Sequence, residues 1–373
     1  MFEELRPQFP ILRNRIYLYS CSQGAFSDAV EEGMNRYRES WRTSADPWQD
    51  WMGAYEDLRR KFAAFINAAP EEIAIVTSAS AGINPIASAL SFRQRDKVVM
   101  SEHEFPTVGQ IWLAQQARGA KIRFLDHPAT AECYAAAIDE RTAIVPLTQV
   151  SYLDGFRADV GEITRIAHQR GALVFLDGFQ DCGTRPVDVK ALDVDFFVTG
   201  TLKYLLGPAG LAFLYVRREL IEKIHPVVTS WMAQRDVFAF DAKRLDPAPE
   251  ARRFEGGSPP VPNIYMALPA LDLLSRAGLD RIASHIETLA RTFHEGAREM
   301  RIQSKTPRAS VGPLIVLRSK DAPAMAARLT ERGFVVSSRR DGVRFSFHLY
   351  NSLEDVHAAL RALENNLDLM ERE

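Results

Sequence analysis

Lys203, in TGTLKYLLGPAG, follows a run of small and β-branched residues and directly precedes a glycine-proline turn. An amine attacks carbonyl carbon once burial or a neighbouring charge removes its proton. Asp177 ends the apolar run VFLDGFQ one strand earlier, and a carboxylate at the end of a buried strand is costly unless a cation meets it. Each residue also has a plain alternative. A lysine in a turn is ordinarily solvated, and a strand-end aspartate is ordinarily a turn or helix N-cap residue. Other reactive groups offer less: Cys21, Cys133 and Cys182 form no CxxC pair and the eight histidines include no HExxH, so neither disulfides nor a metal site are expected.

The elements that must position the pair are legible around it. From about residue 56 to 216, the runs IAIVTS, DKVVMSE, KIRFLD, TAIVPLTQV, ALVFLD, VDFFVTG and LAFLYV lack polar alternation and predict strands buried on both faces. AGINPIASALSF, PTVGQIWLAQQARG and VGEITRIAHQRG carry apolar residues at helical spacing, two of them ending in Arg-Gly. The alternation predicts an α/β fold whose mostly parallel seven-stranded sheet is joined by right-handed crossovers. Ligands of such sheets sit at the carboxyl ends of the strands, where both Asp177 and Lys203 fall.

After Val216 the stretch DAKRLDPAPEARRFEGGSPPVPN loses periodicity and predicts a long surface crossing. IYMALPALDLLSRAG, RIASHIETLARTFHEGAREM, DAPAMAARLTERG and the segment from Leu353 then read as helices, with PLIVLRS, FVVSS and VRFSFHLY as strands. The expected division is a large α/β domain over residues 17–257 and a smaller α+β domain made of 1–16 and 258–373. A formal charge of −2 gives no electrostatic reason to expect nucleic acid or an anionic membrane as partner. Apolar runs such as Gly171 to Leu176 are too short to span a bilayer, and the start MFEELRPQFP lacks the basic and apolar regions of a signal peptide, so a cytoplasmic location is expected. No GxGxxG follows the first strand and no GKS or GKT is present, which leaves nucleotide binding, or a non-catalytic binding role on the same fold, as remote alternatives.

Taken together, Lys203 and Asp177 match one mechanism, because a pyridoxal phosphate enzyme needs a lysine for its Schiff base and an acid beside the pyridinium nitrogen. The order DGFQ, an apolar strand, then TGTLKYLLGPAGLAFLYV resembles the aspartate-x-x-glutamine strand and lysine turn of the class V aminotransferase family of pyridoxal phosphate enzymes. That family includes cysteine desulfurases, selenocysteine lyase, and kynureninase-like and isopenicillin-epimerase-like proteins. The similarity runs from YLYSCSQGAFS to VRFSFHLYNSLEDV, with separate motifs kept in order.

The resemblance implies the fold of that family and pyridoxal 5'-phosphate as cofactor, with Lys203 as the Schiff-base lysine. It further implies Asp177 at the ring nitrogen and Gln180 at the phenolic oxygen. SASAGIN resembles the phosphate-binding turn at a helix start, with Ala79 contributing backbone and Ser80 its hydroxyl; a simple N-cap serine is the alternative for Ser80. EFPTVGQIW resembles the loop that lays a flat side chain over the ring, matched by Phe105, for which a core aromatic is the alternative. RRFEGGSPP resembles a loop that crosses a dimer interface, so Ser258 is expected at the neighbouring subunit's phosphate in a homodimer with a shared site. VRFSFHLYNS resembles the segment carrying the arginine for the substrate carboxylate, matched by Arg344. A planar guanidinium holds a carboxylate through two parallel bonds.

Departures narrow the expectation. VVSSRRDGVRF lacks the cysteine that desulfurases carry there, so the persulfide route has no thiolate. Gly200 and Leu202 replace the serine and histidine usual beside the lysine, which leaves Thr201 or Thr199 to offer a hydroxyl to the phosphate. Tyr152 stands where an asparagine is frequent, and substrate contacts are expected from Tyr152, Gln23 in SCSQGAF, Arg339 and Arg340. The expected activity is transamination of a small amino acid or amine; a lyase of the kynureninase or selenocysteine-lyase kind, or an epimerase, is the alternative.

Overall fold

The computed structural model describes residues 2–373. The seven apolar runs become strands β1 (Ile73–Val76), β2 (Lys97–Ser101), β3 (Lys121–Leu125), β4 (Thr142–Thr148), β5 (Leu173–Asp177), β6 (Phe196–Gly200) and β7 (Ala212–Val216). They pair in the order β1-β7-β6-β5-β4-β2-β3. β7 runs antiparallel to both of its neighbours and every other pairing is parallel, which is the expected α/β architecture.

One expectation fails at the edge. β3 was expected to be buried on both faces, but Lys121, Arg123 and Phe124 are exposed. An edge strand has a neighbour on one side only, and its charges discourage pairing with another chain. The inner strands β6 and β7 are buried along their whole length, as is β1 at the opposite edge, and helices Ala79–Ala89, Pro106–Ala114 and Val160–Gln169 form the crossovers.

Helix Val261–Ala277 packs against two N-terminal helices, Asp28–Thr43 and Trp48–Phe65. A second, antiparallel sheet joins β8 (Leu314–Arg318), β9 (Ser337–Arg339) and β10 (Gly342–Ser346) in the order β9-β10-β8. Ile16–Tyr17 pairs in parallel with Phe334–Val335, tying the start of the chain to this smaller unit. The chain then passes to the Lys203 turn, where the Gly24 N–H donates to the Leu202 carbonyl at 2.9 Å. Only glycine fits there, because a Cβ at position 24 would lie 2.3 Å from the Lys203 carbonyl oxygen.

Between Val216 and Val261 the crossing contains only the short turns Arg218–Ile221 and Ala251–Phe254. Its end is fixed by Glu255, which is buried and accepts from the Arg59 guanidinium at 2.7 Å and the Ile75 N–H at 2.8 Å. The exposed residues Gly256, Gly257 and Ser258 follow directly. Among the described residues no helix is long and apolar enough to cross a membrane.

Candidate active site

At the carboxyl end of the large sheet, a cleft of about 250 Å³ is lined by Ala79, Ser80, Phe105, Thr148, Tyr152, Asp177, Phe179, Gln180, Leu202 and Lys203, among others. Each comes from a strand end or the loop after it, which is where this topology leaves a crevice. Lys203 lies in the turn after β6, closed by the Leu206 N–H to the Lys203 carbonyl at 3.2 Å and the Gly207 N–H to the Thr201 carbonyl at 2.9 Å. Its ammonium nitrogen lies 4.6 Å from the Phe179 ring centroid and 5.6 Å from that of Phe105. Burial between aromatic faces pushes the Lys203 pKa down to about 8, with Asp177 opposing. Such an amine is available as a base near neutral pH.

Asp177 is buried at the end of β5 and accepts from the Phe179 N–H at 2.9 Å. Burial raises its carboxyl above the ordinary aspartate value, while that hydrogen bond and the Lys203 charge pull it back. Gln180 donates its amide to the Cys21 carbonyl at 3.0 Å, and its buried carbonyl oxygen has no partner. A pyridoxal ring fits these groups: its protonated nitrogen answers the buried carboxylate, and an O–H or N–H answers the orphaned oxygen of Gln180.

Helix Ala79–Ala89 begins at this cleft, capped by Ser78, whose hydroxyl accepts from the Ala81 N–H at 3.1 Å. The N-cap is therefore Ser78, and the first-turn N–H groups of Ala79 and Ser80 remain for an anion such as a phosphate. Phe105 and Tyr152 meet edge to face at 5.1 Å and form one wall. Behind that wall His103 and His127 stack at 3.7 Å, and His127 Nε2 lies 2.6 Å from Asp154. One ligand atom each from His103, His127 and Asp154 lies within 4.8 Å of the others, a spacing that a metal ion can bridge, where the sequence had suggested no metal site.

Several sequence-predicted residues do not line the cleft. Thr201 was expected to offer its hydroxyl to a phosphate, but that hydroxyl donates to the Pro208 carbonyl and faces the Leu211 carbonyl at 3.1 Å. Its single proton is spent on closing the lysine turn. Gln23 was expected at the substrate, but it is exposed, because the turn in which the Ser22 and Gln23 N–H groups both bond to the Tyr19 carbonyl rotates it outward. Ser22 takes its place and accepts from Arg344 Nη2 at 2.7 Å. Ser258 is exposed in its loop, away from the cleft of its own chain, and Arg339 and Arg340 are exposed as well.

Arg344 sits on β10 beside the cleft rather than in its lining. It is buried, and its guanidinium bonds Ser337 Oγ at 3.0 Å, the Tyr152 carbonyl at 3.1 Å and Ser22 Oγ. None of these partners is anionic, and no salt bridge to it is found among the described residues. A buried guanidinium without a counter-charge is unfavourable until an anion arrives.

Phe179 is a residue that the sequence reading missed. A Cβ on Gly200 would lie 2.3 Å from the Phe179 ring, so the aromatic fills the space that a side chain at 200 would take. The signal was a bulky residue in DGFQ matched by a glycine at the next strand end, and neither half shows it alone. Gly200→Ser is expected to destabilise the fold by about 1–3 kcal/mol through overpacking. Adding Phe179→Ala should recover part of that loss in urea denaturation; no recovery would show that the two do not compete for space.

The chain is similar in sequence and fold to known proteins. The family model for aminotransferase class-V matches residues 23–359. An uncharacterised aminotransferase of Bacillus subtilis (strain 168) is 32% identical over 96% of both chains. A kynureninase of Deinococcus radiodurans is 30% identical over 98% of this chain and 93% of its own. The apo structure of a cysteine desulfurase from Thermococcus onnurineus NA1 superposes with a TM-score of 0.89 at 26% identity, covering 98% of each chain. A match that takes in the Ala79 helix, the Asp177 strand, the Lys203 turn and Arg344 places the chain in the aminotransferase class-V family of pyridoxal phosphate-dependent enzymes.

Proposed function

We propose that the protein is an aminotransferase for a small amino acid, with Lys203 as the proton carrier and Arg344 as the anchor of the substrate α-carboxylate. The observation that carries the reading is Arg344, a buried cation without an anion beside a cleft whose base is Lys203. When bound, pyridoxal 5'-phosphate supplies an aldehyde and an electron sink for the α-carbon's electron pair. Ala79 and Ser80 would hold its phosphate by backbone N–H groups, Asp177 would keep its ring nitrogen protonated, and Phe105 would offer a flat side chain to the ring. Lys203 takes the α-proton and returns it, since desolvation brings its pKa down to about 8 at the cleft wall.

What the cleft lacks favours transamination over its neighbours. Phe105 has no exchangeable proton, so it cannot serve as the second base of an epimerisation. Cys21 and Cys182 are buried and Cys133 stands in helix Ala131–Ala137, so no thiol near Arg344 is exposed for a persulfide step. The likeness to kynureninase keeps cleavage of a carbon–carbon or carbon–sulfur bond as the second reading. A cytoplasmic homodimer, with the exposed Ser258 loop reaching the other copy's phosphate, belongs to the same proposal.

The test is a product assay over a panel of amino acids with keto-acid acceptors. Keto acid formation supports the proposal, whereas alanine, sulfide or ammonia without keto acid would overturn it in favour of a lyase. Arg344→Gln is expected to raise KM for the amino acid on the order of 30-fold while changing kcat much less, as loss of a buried charge pair predicts. An unchanged KM would remove Arg344 from the substrate.

A further inference from the structure

Glu104 is a carboxyl group placed where no cation reaches it. Its side chain is buried, and its hydrogen-bond partners among the described residues are the Thr148 N–H at 3.1 Å and the Thr148 hydroxyl. Thr148 is the last residue of β4, lines the cleft, and stands in register with Asp177 on β5. One threonine therefore touches Glu104 on one side and borders the cofactor cleft on the other.

We propose that Glu104 is a proton-bearing positioning residue: its carboxyl O–H donates to Thr148 Oγ1 and leaves the Thr148 hydroxyl proton free to face the cleft beside Asp177. A hydroxyl has one proton to give. If Glu104 were ionised, Thr148 would have to donate to it, and the cleft would meet only a lone pair. The proton on Glu104 thus decides whether Thr148 acts as donor or acceptor toward whatever the cleft holds. Its part in cofactor binding rests on the pyridoxal phosphate reading; the proton itself does not.

The neutral form is favoured for two reasons. A buried carboxylate without a cation is strongly penalised, and a second negative charge close to Asp177 adds to the penalty. Burial, with Asp177 contributing and the Thr148 bonds opposing, pushes Glu104 up to about 8. Because the folded value lies above the unfolded one, Glu104 contributes stability below its ordinary value of about 4.3, and this is lost as pH rises through about 8.

Asp177 faces it from β5, with Lys203 beyond, and Tyr134 from helix Ala131–Ala137. The stacked His103 and His127 lie on its own loop side. Tyr134 is pushed to higher pKa and His103 to lower pKa by burial. Lys203 changes charge in the same range as Glu104, so the readout must see carboxyl groups alone.

Infrared difference spectra between about pH 7 and about pH 10, with and without cofactor, provide that readout. The carbonyl stretch of neutral carboxylic acids should weaken from the lower pH to the higher, and Glu104→Gln should remove the Glu104 share of that change. Identical carboxyl spectra for the parent and Glu104→Gln would overturn the proposal. Cofactor affinity gives a second readout: Thr148→Val and Glu104→Ala should each weaken pyridoxal 5'-phosphate binding roughly fivefold. The double variant should lose no more than Thr148→Val alone, and Glu104→Gln, whose amide can still donate to Thr148, should restore most of the Glu104→Ala loss. Additive losses, or no rescue by Gln, would refute the Glu104 to Thr148 linkage. A parent protein that binds no pyridoxal 5'-phosphate would instead refute the cofactor reading and leave the infrared result standing.

Discussion

Lys203→Met will leave no cofactor attached after borohydride reduction and will lower turnover by at least on the order of 10³-fold, because it removes both the nucleophile and the proton carrier. The same variant will make the cofactor-free protein more stable, not less. Lys203 is half-buried, and desolvation holds its pKa at about 8, below the ordinary lysine value. The sign follows from proton counting: between the folded value and the unfolded value of about 10.4, the unfolded chain binds more protons. The penalty is therefore full below about pH 8 and fades as pH rises toward about 10.4, reaching roughly 3 kcal/mol at neutral pH. Urea denaturation of the two cofactor-free proteins across that range measures it. A gap in stability that does not shrink with rising pH would mean that Met acts through packing and that Lys203 titrates alike in the folded and unfolded chains. Persistent trapping would mean that another lysine reacts.

Why Lys203 and Asp177 were legible while their surroundings were not is a matter of range. Each strand of the large sheet is a short apolar run, and its end is marked by the first polar residue, so strand ends can be read from neighbours in sequence. Asp177 and Lys203 are such ends. The Phe179 and Gly200 pairing joins two strand ends that are separate in sequence, and the one-residue rotation that swaps Gln23 for Ser22 belongs to a turn without periodicity. Thr201 shows a third kind of limit. Its residue type suits a phosphate, but whether the hydroxyl is already committed to backbone depends on the geometry of the turn it closes. Helix Asp28–Thr43 was harder still: its buried residues are Val30 and Gly33, while Met34 and Trp41 are exposed, which blurs the apolar stripe. In the second sheet β8 was legible as an apolar run like those of the first, whereas β10 carries Arg344 and Ser346 among its buried residues.

Asp177→Asn will lower turnover on the order of 10³-fold while leaving the cleft's shape almost unchanged. The amide is the same size as the carboxyl, and its oxygen can still accept the Phe179 N–H that Asp177 accepts at 2.9 Å. What it removes is the charge. A neutral group cannot hold a proton on the cofactor's ring nitrogen, so the ring withdraws electrons less strongly as negative charge develops at the α-carbon; losing one preorganised electrostatic contact of this kind costs about 10²–10³ in rate. The loss should fall on kcat and kcat/KM together, since the interaction matters most in the transition state. Lys203 provides an independent readout. Asp177 is the leading influence that holds the Lys203 pKa up against burial, so in the cofactor-free variant Lys203 should titrate below its parental value of about 8. Reactivity of the amine toward an acylating probe as a function of pH reports that titration. A Lys203 that titrates unchanged in Asp177→Asn would show that the two side chains do not share the cleft electrostatically, and a turnover within a few-fold of the parent would place the acid at the ring nitrogen elsewhere.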